Sequence, residues 1–274
     1  MKRKRESLSR SRVPAYKDQY DPGLLLPVPR ATHRTRIGID RVLPFSGVDI
    51  WNAYELSWLD PGGKPRVAIA TMIFPAESPR LVESRSMKLY LNSFNQTCFS
   101  STRLLERTVM RDLGKACGGQ VKVKVTLPAR FGRQVLEELE GDLIDGIDTK
   151  ISGYTPDSAL LSARGPVVEE TLTSNLLKSN CPLTGQPDWA SLQVRYRGPK
   201  ISRAGLLRYI VSFRQHGEFH EHCVERIFTD ILRRCRPERL TVYARYTRRG
   251  GIDINPFRTN CGDAPPSNRR TARQ

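Results

Sequence analysis

The sequence lacks the patterns typical of membrane, secreted and zinc-ribbon proteins. No apolar run reaches the roughly 18–20 residues that a transmembrane helix needs. The basic start, MKRKRESLSRSR, is not followed by the apolar segment of a secretory signal peptide. None of the six cysteines belongs to a C-x-x-C pair, so zinc-ribbon spacing is absent. We therefore expect a cytoplasmic protein whose thiols are reduced.

Two common nucleotide-binding patterns are also missing, whereas positive charge is abundant. There is no G-x-G-x-x-G and no G-x-x-x-x-G-K-[ST], so neither a Rossmann nor a P-loop site is supported. The formal net charge is +17 at pH 7, and part of it lies in residues 1–12 and in the end NRRTARQ. Such basic ends are usually solvated and disordered. The charge fits a basic RNA- or tRNA-binding module, and it also fits an enzyme whose cofactor carries phosphates.

Composition and periodicity divide the chain into four segments. Residues 1–45 are rich in Pro, Arg and Ser and are predicted to form an irregular basic arm. Residues 46–165 contain a β-hairpin around the turn DPGGKP, two helical stripes, an alternating strand and a possible fourth strand in LIDGIDTKI. Residues 166–262 repeat that order. Residues 263–274 are predicted to be a basic tail.

The two middle segments align at a constant shift of 119 residues (209 − 90), which indicates an internal duplication. Tyr90 falls on Tyr209, and Glu106 falls on Glu225, across two helices and a strand. Each half is therefore predicted to be a strand–strand–helix–helix–strand–strand unit. Short hairpin connections favour an antiparallel sheet, with the two helices covering one face, so the fold class is α+β.

The stretch SNCPLTGQPDW carries the pair of side chains best suited to catalysis. Cys181 precedes Asp188 by seven residues (188 − 181), and two prolines and a glycine between them predict a stiff turn rather than a helix. The following WASLQVRYR alternates as a strand does. A thiol and an acid at the mouth of a strand suit covalent catalysis. A buried cysteine and a turn-capping aspartate would give the same local pattern.

Three further groups carry charge at chemically useful positions. His220 and Glu221 begin a helix, whose dipole favours an ionised Glu; Glu221 could bind a guanine-like edge or simply complement that dipole. His222 is predicted to be at the surface. Arg85 and Lys88 could meet phosphates or be solvated. The glycines of TRRGGIDINPF could let backbone N–H groups approach an anion, although a plain turn is the commoner explanation.

Four separated blocks together resemble the NADPH-dependent 7-cyano-7-deazaguanine reductases, the nitrile reductases of queuosine biosynthesis. The blocks are ESRSMKLYLNSFNQ, SNCPLTGQPDWA, GEFHEHC and RRGGIDINPFRTN, in the order of the long, two-module subfamily. The resemblance covers most of the chain from about Gly47 onward. Arg85 stands where the family's signature usually has Lys, which keeps the charge but changes its geometry.

The resemblance implies the tunnelling fold (T-fold), with two tandem units per chain and a barrel formed by a homodimer. It implies reduction of the nitrile of 7-cyano-7-deazaguanine to 7-aminomethyl-7-deazaguanine with two NADPH. No metal, no membrane association and no requirement for nucleic acid are expected.

The resemblance also implies roles by matched position. Cys181 would be the nucleophile that forms a covalent thioimide with the nitrile carbon, and Asp188 would be the proton donor. The implied substrate-binding set is Glu83, Ser84, Arg85, His220 and Glu221, and the implied cofactor-binding set is Arg85, Ser86, Arg249 and Gly250.

The implied reaction requires particular protonation states of Cys181 and Asp188. An ordinary cysteine has a pKa of about 8.5, so Cys181 needs a lowered pKa to attack near neutral pH. Asp188 must be protonated when it acts.

One alternative function is the basic RNA-binding module without redox activity, and another is a thiol acyl-transferase or hydrolase that uses Cys181 and His220. Cys223 is a candidate disulfide partner of Cys181.

Overall fold

A computed structural model describes residues 16–274 of the chain, so the predictions for residues 1–12 lie outside the described part. The structure contains five α-helices within that part, which are α1 Ala31–Arg36, α2 Ser84–Asn92, α3 Thr102–Cys117, α4 Arg203–Ser212 and α5 His220–Cys235. Its strands are β1 Pro27–Pro29, β2 Ser46–Leu59, β3 Pro65–Pro75, β4 Arg80–Val82, β5 Lys122–Thr126, β6 Asp142–Leu143, β7 Ala163–Asn180, β8 Pro187–Ile201, β9 Arg239–Tyr246 and β10 Ile252–Thr259. No helix in the described part is long and apolar enough to cross a membrane.

Eight strands form one sheet, in the order β5-β3-β2-β10-β9-β8-β7-β6. The first half of the chain supplies β2, β3, β5 and the short β6, and the second half supplies most of β7 and all of β8 to β10. The two halves join where β2 pairs antiparallel with β10, from Ser46 opposite Thr259 to Ala53 opposite Ile252. The mixed helix-and-sheet class is therefore as predicted, and the sheet runs without interruption from one half into the other.

The β2–β3 hairpin is confirmed at the predicted turn, and α3 has clear capping residues at both ends. The carboxylate of Asp60 accepts hydrogen bonds from the backbone N–H groups of Gly62 and Lys64, both at 3.0 Å, and so closes the hairpin turn. Helix α3 begins where the Ser101 hydroxyl accepts from the Leu104 amide, and it ends at Gly118. Local hydrogen bonds therefore define the hairpin turn and both ends of α3.

The stretch 128–165 differs from its prediction. Only Leu143 of LIDGIDTKI lies in a strand, the two-residue β6, and β6 pairs parallel with β7 rather than completing the sheet of the first half. The sheet is therefore mixed at this end, not purely antiparallel. Strand β7 already begins at Ala163, within the first of the two middle segments. These residues lack the alternation of apolar side chains that marks a longer strand, so a pairing partner, not local pattern, decides their conformation.

The core lies between the sheet and its helices, in two apolar clusters that follow the two halves. One cluster packs β7, β8 and β9 against α4 and α5, and the other packs β2 and β3 against α2 and α3. Strand β10 contributes Ile252 and Ile254 to the cluster of the first half. The apolar stripes of the sequence are thus core, and the junction of the halves is held by shared packing as well as by hydrogen bonds.

The predicted arm and tail are both more ordered than their composition suggests. Within the arm, Arg30 and Arg34 are buried and β1 pairs with β4. Within the tail, the Gln274 amide donates to the Tyr246 carbonyl and to the side chain of Asn255, both at 2.8 Å. The expectation of a solvated, disordered end is therefore wrong for Gln274, and residues 16–45 of the predicted irregular arm contain a strand and a helix. Composition misleads here because an arginine or glutamine can be buried when its polar atoms are paired.

Candidate active site

One cavity, of about 390 Å³, is lined by residues from both halves of the chain. The start of α2, the β7–β8 turn, the start of α5 and the β9–β10 connection all reach it. Its lining comprises Glu83, Ser84, Arg85, Lys88, Cys181, Leu183, Thr184, Gln186, His220, Thr247, Arg249, Gly250, Ile252 and Ile254. The structure therefore brings together most of the residues that the sequence singles out, although they lie up to 167 residues apart (250 − 83).

Cys181 lies in the tight turn between β7 and β8. Its backbone N–H donates to the Gln186 carbonyl at 2.8 Å, and its carbonyl accepts from the Gly185 N–H at 2.9 Å. Gly185 has φ 69°, a left-handed conformation that costs glycine little. The cysteine side chain is 7% exposed, and it forms part of the cavity wall. The turn therefore presents one thiol to the cavity on a backbone that is fixed on both sides.

The surroundings of Cys181 lower the pKa of its thiol and so favour the thiolate, which is the reactive form. Burial raises its pKa, but the Thr184 hydroxyl, the backbone amides of Leu183 and Thr184, and Arg249 outweigh burial and bring the pKa below its ordinary value. Donors that point at sulfur stabilise the thiolate. The lowered pKa that nucleophilic attack requires is therefore confirmed in direction.

Asp188 is buried beside two cationic or potentially cationic side chains. Its Oδ1 lies 3.0 Å from Arg249 Nε and 3.6 Å from His220 Nε2. Arg249 also donates through Nη1 to Gln186 Oε1 at 3.0 Å. Because Arg249 contacts the carboxylate and lowers the pKa of Cys181, it connects the two groups that the sequence pairs.

His220 and Glu221 occupy the first turn of α5 but differ in access. The His220 ring lies edge-on to Tyr246, with centroids 4.2 Å apart, and His220 lines the cavity. Glu221 is 2% exposed and lies behind the lining. Burial and the Asp49 carboxylate raise its pKa to about 7, against the effects of Arg30 and His220. The helix N-terminus favours an ionised Glu221, as expected, but burial has the larger effect on its pKa.

His222 is buried, not at the surface as predicted. Its ring stacks on that of His33 from the arm, with centroids 4.0 Å apart and planes within 7°. Burial lowers the pKa of His222 to about 3, and the neighbouring His33 adds to this effect. The prediction failed because the arm that covers this helix face was taken to be irregular.

The ESRSMK block places its side chains on opposite sides of the start of α2. Glu83 caps the helix, since its carboxylate accepts from the backbone N–H groups of Arg85 and Ser86, both at 2.7 Å. Ser84 and Arg85 line the cavity. The Ser86 hydroxyl is buried and instead bonds backbone groups, donating to the Glu83 carbonyl and accepting from the Leu26 N–H. Ser86 is thus the one predicted cofactor residue that does not line the cavity.

Three cationic side chains line the cavity, and positive charge of this kind is what a phosphate-bearing cosubstrate requires. These are Arg85, Lys88 and Arg249. Gly250 has φ 62°, and a Cβ built there would lie 2.9 Å from Lys88 Nζ. Glycine therefore keeps the backbone close to the lysine ammonium, and the residues present fit an anionic ligand at this point.

Two further predictions concern metals and disulfides. Across residues 16–274, no cluster of three or more His, Cys, Asp or Glu side chains is arranged to hold a metal ion. Cys181 and Cys223 are both free thiols. Burial raises the pKa of Cys223 well above its ordinary value, so this thiol is poorly reactive. The pairing of these two cysteines stays a prediction.

Sequence reasoning missed several lining residues. Gln186 and Thr184 lie inside the quoted SNCPLTGQPDW block, and their roles follow from a turn geometry that no pattern reveals. Ile252 and Ile254 lie inside the quoted TRRGGIDINPF stretch, of which only the arginines and glycines were singled out. Their alternation was the available signal, since every second residue of β10 faces the same side.

One cavity is lined by a thiol of lowered pKa and three cationic side chains, and a buried carboxylate contacts its Arg249 and His220. This set is typical of an enzyme that uses covalent catalysis and an anionic reactant. Residues 16–125 match the family described as nitrile reductase, 7-cyano-7-deazaguanine-reductase N-term, and residues 187–265 match the family described as QueF-like protein. The chain belongs to the family of NADPH-dependent 7-cyano-7-deazaguanine reductases.

Relatives support this assignment over nearly the whole chain. An NADPH-dependent 7-cyano-7-deazaguanine reductase of Bordetella parapertussis is 63% identical over 261 residues, covering 95% of this chain and 96% of that protein. One from Burkholderia multivorans is 59% identical, covering 94% and 95%. Among solved structures, the apo form of the archaeosine synthase QueF-Like has a TM-score of 0.31 and 16% identity, covering 37% of this chain and 100% of that one.

Proposed function

We propose that this protein reduces the nitrile of 7-cyano-7-deazaguanine to the aminomethyl group, with two molecules of NADPH, in queuosine biosynthesis. The observation that carries the proposal is the position of Cys181, a thiol of lowered pKa on the wall of a cavity that Glu83, at the start of α2, also lines. Family membership supplies the substrate, and the cavity supplies residues suited to it.

In the proposed reaction, the Cys181 sulfur adds to the nitrile carbon and the nitrile nitrogen gains a proton, which gives a thioimide. NADPH supplies one hydride in each of the two reduction steps. After the first reduction the carbon carries hydrogen, an amino group and the sulfur, and the Cys181 thiolate leaves as an imine forms. The second reduction and a further proton give the primary amine. Two hydrides and two protons are consumed overall.

Asp188 is the proposed proton donor for the nitrogen. Its contacts with Arg249 and His220 hold the carboxyl group in place beside the turn that carries Cys181. His220 Nε2 lies 3.6 Å from Oδ1, so the His220 ring, which lines the cavity, is a direct neighbour of this carboxyl group.

The deazaguanine base is proposed to lie between α2 and α5. Ser84, Arg85 and His220 line the cavity, while Glu83 and Glu221 offer carboxyl oxygens at the first turns of their helices. A carboxylate can accept two N–H bonds from a guanine-like edge. Arg85, Arg249 and Gly250 are proposed to contact NADPH, and Ser86 supports them through the backbone of α2.

The two halves are proposed to be tunnelling-fold units, at residues 46–165 and 166–262, that form a barrel when two chains associate. The sheet is open at both ends, and apolar side chains are exposed near β6 and β7, including Leu143, Val167 and Leu176. Covering such side chains favours association. Light scattering should give twice the mass of one chain, and a monomer at micromolar concentration would contradict the homodimer.

The activity is tested directly by following NADPH oxidation with the nitrile present. We expect two NADPH to be oxidised for each amine formed, and no oxidation without the nitrile. Turnover of esters or amides without NADPH would instead indicate a hydrolase. Salt-sensitive RNA binding without NADPH oxidation would indicate the basic RNA-binding module.

A further inference from the structure

Three residues of the arm, Arg30, His33 and Arg34, contact the first turns of α5 and the loop before it. We call these three residues the arm clamp. We propose that the arm clamp positions the base-binding end of α5, with His33 as the principal positioning residue. This inference rests on the proposed function, in which His220 and Glu221 bind the base.

Arg34 and Arg30 fix the second turn of α5 through one buried carboxylate. Arg34 donates to Glu225 from Nε at 2.9 Å and from Nη2 at 2.8 Å, which is a bidentate pair. Arg30 contacts the same carboxylate at 3.5 Å and also pairs with Asp49 of β2. Glu225 is fully buried and also accepts from Arg258 Nη2 at 2.9 Å, so three guanidinium groups, two of them from the arm, surround this one carboxylate.

His33 fixes the loop that leads into α5. Its Nδ1 lies 2.9 Å from Glu218 Oε1, and Glu218 also contacts His216 at 3.0 Å and Arg226 at 3.1 Å. Burial raises the pKa of Glu218, but hydrogen bonds from His216, His33 and Arg226 lower it well below its ordinary value. The carboxylate therefore stays ionised and keeps three partners around one point.

The same loop is joined to the strand that carries the nucleophile. The Asn180 N–H donates to the His216 carbonyl at 2.7 Å, and the Glu218 N–H donates to the Asn180 carbonyl at 3.0 Å. Asn180 directly precedes Cys181. A displacement of Glu218 would consequently move both the start of α5 and the residue before the thiol. The His33 ring also stacks on His222, which fixes the first turn of the helix.

The chain offers a matched control at the far end of α5. Arg233 donates to the Ile37 carbonyl at 2.7 Å and to the Gly38 carbonyl at 2.6 Å. It therefore joins the residues that follow α1 to α5, as the arm clamp does, but about 20 Å from His220 along the helix. Loss of this contact should lower stability without changing the base-binding end.

The test measures binding of the base separately from chemistry. Calorimetry with 7-cyano-7-deazaguanine would use the Cys181→Ala protein, which forms no covalent bond, as the parent. Adding His33→Ala should weaken base binding by about tenfold and leave NADPH binding within twofold. His33→Asn should restore most of the affinity, because its amide nitrogen occupies the position of Nδ1. Arg233→Met should lower the melting temperature but leave base binding unchanged.

Each outcome decides one claim. Base affinity in His33→Ala equal to that of the parent, or an equal loss in Arg233→Met, would overturn the positioning role and leave the proposed function intact. A folded parent that does not bind the nitrile at all would overturn the proposed function, and the arm-clamp proposal with it. A loss in His33→Ala that His33→Asn restores supports the positioning role.

Discussion

At the scale of single residues, Arg249 joins the thiol and the carboxylate of the site. Its hydrogen bond helps to lower the pKa of Cys181, while its Nε lies 3.0 Å from Asp188. Arg249→Met should therefore raise the pKa of Cys181. The pH dependence of alkylation of Cys181 by iodoacetamide measures this. Arg248→Met is the control, because Arg248 lies over the Tyr54 ring. An unchanged midpoint in Arg249→Met would show that Arg249 does not act on the thiol.

Asp188 should matter for turnover rather than for binding. Asp188→Asn keeps the shape of the side chain but cannot donate a proton as a carboxylic acid does. We expect kcat to fall by about 10²–10⁴-fold, with the dissociation constant of the nitrile changed less than twofold. Steady-state kinetics and calorimetry measure the two effects. Full turnover by Asp188→Asn would remove Asp188 from the mechanism.

Glu221 should make stability depend on pH. Its folded pKa, about 7, lies above the ordinary value of 4.5, so its stabilising contribution is fully present below pH 4.5. That contribution is lost as the pH rises through 7, because the folded state must then bury a charge. Relative to wild type, Glu221→Gln should gain roughly 1–3 kcal/mol of unfolding free energy between pH 5 and pH 8. Urea unfolding at several pH values tests this, and parallel profiles for the two proteins would contradict it.

At the scale of elements, the β7–β8 turn fixes the thiol through one glycine. Gly185 has φ 69° with no atom within 4 Å of a Cβ built there, so a substitution costs backbone strain but meets no clash. Gly185→Ala should lower stability by about 1 kcal/mol and reduce kcat/KM, whereas Gly185→Asn should largely restore both, because asparagine tolerates this conformation. Melting curves and kinetics check the pair. Equal activity in Gly185→Ala and wild type would show that the turn has room to adjust.

The elements also show how far the sequence could predict the structure. The β2–β3 hairpin, α3 and the Cys181 turn were predictable because caps, turn residues and alternation specify them locally. The short β6, the burial of His222 and the raised pKa of Glu221 were not, because each depends on a distant partner. His33 covers His222, and the Asp49 carboxylate helps to raise the pKa of Glu221.

At the scale of the whole molecule, one cavity is lined by residues from both halves of the chain. Strand β2 pairs with β10, so the start of α2 from one half comes to face the β7–β8 turn and the start of α5 from the other. Each half carries part of the site: Glu83 and Arg85 in the first, and Cys181, Asp188 and His220 in the second. The sheet order that brings these residues to one cavity is known only from the structure.

The central claim is that the Cys181 sulfur bonds to a nitrile carbon within this shared cavity. Intact-mass spectrometry of the protein incubated with 7-cyano-7-deazaguanine, without NADPH, tests it most directly. We predict a mass increase equal to that of the whole nitrile, located on the peptide that contains Cys181 and absent in Cys181→Ala. NADPH added afterwards should remove the adduct as the amine forms. Turnover by Cys181→Ala at the wild-type rate, or an adduct on another cysteine that NADPH consumes, would contradict the claim.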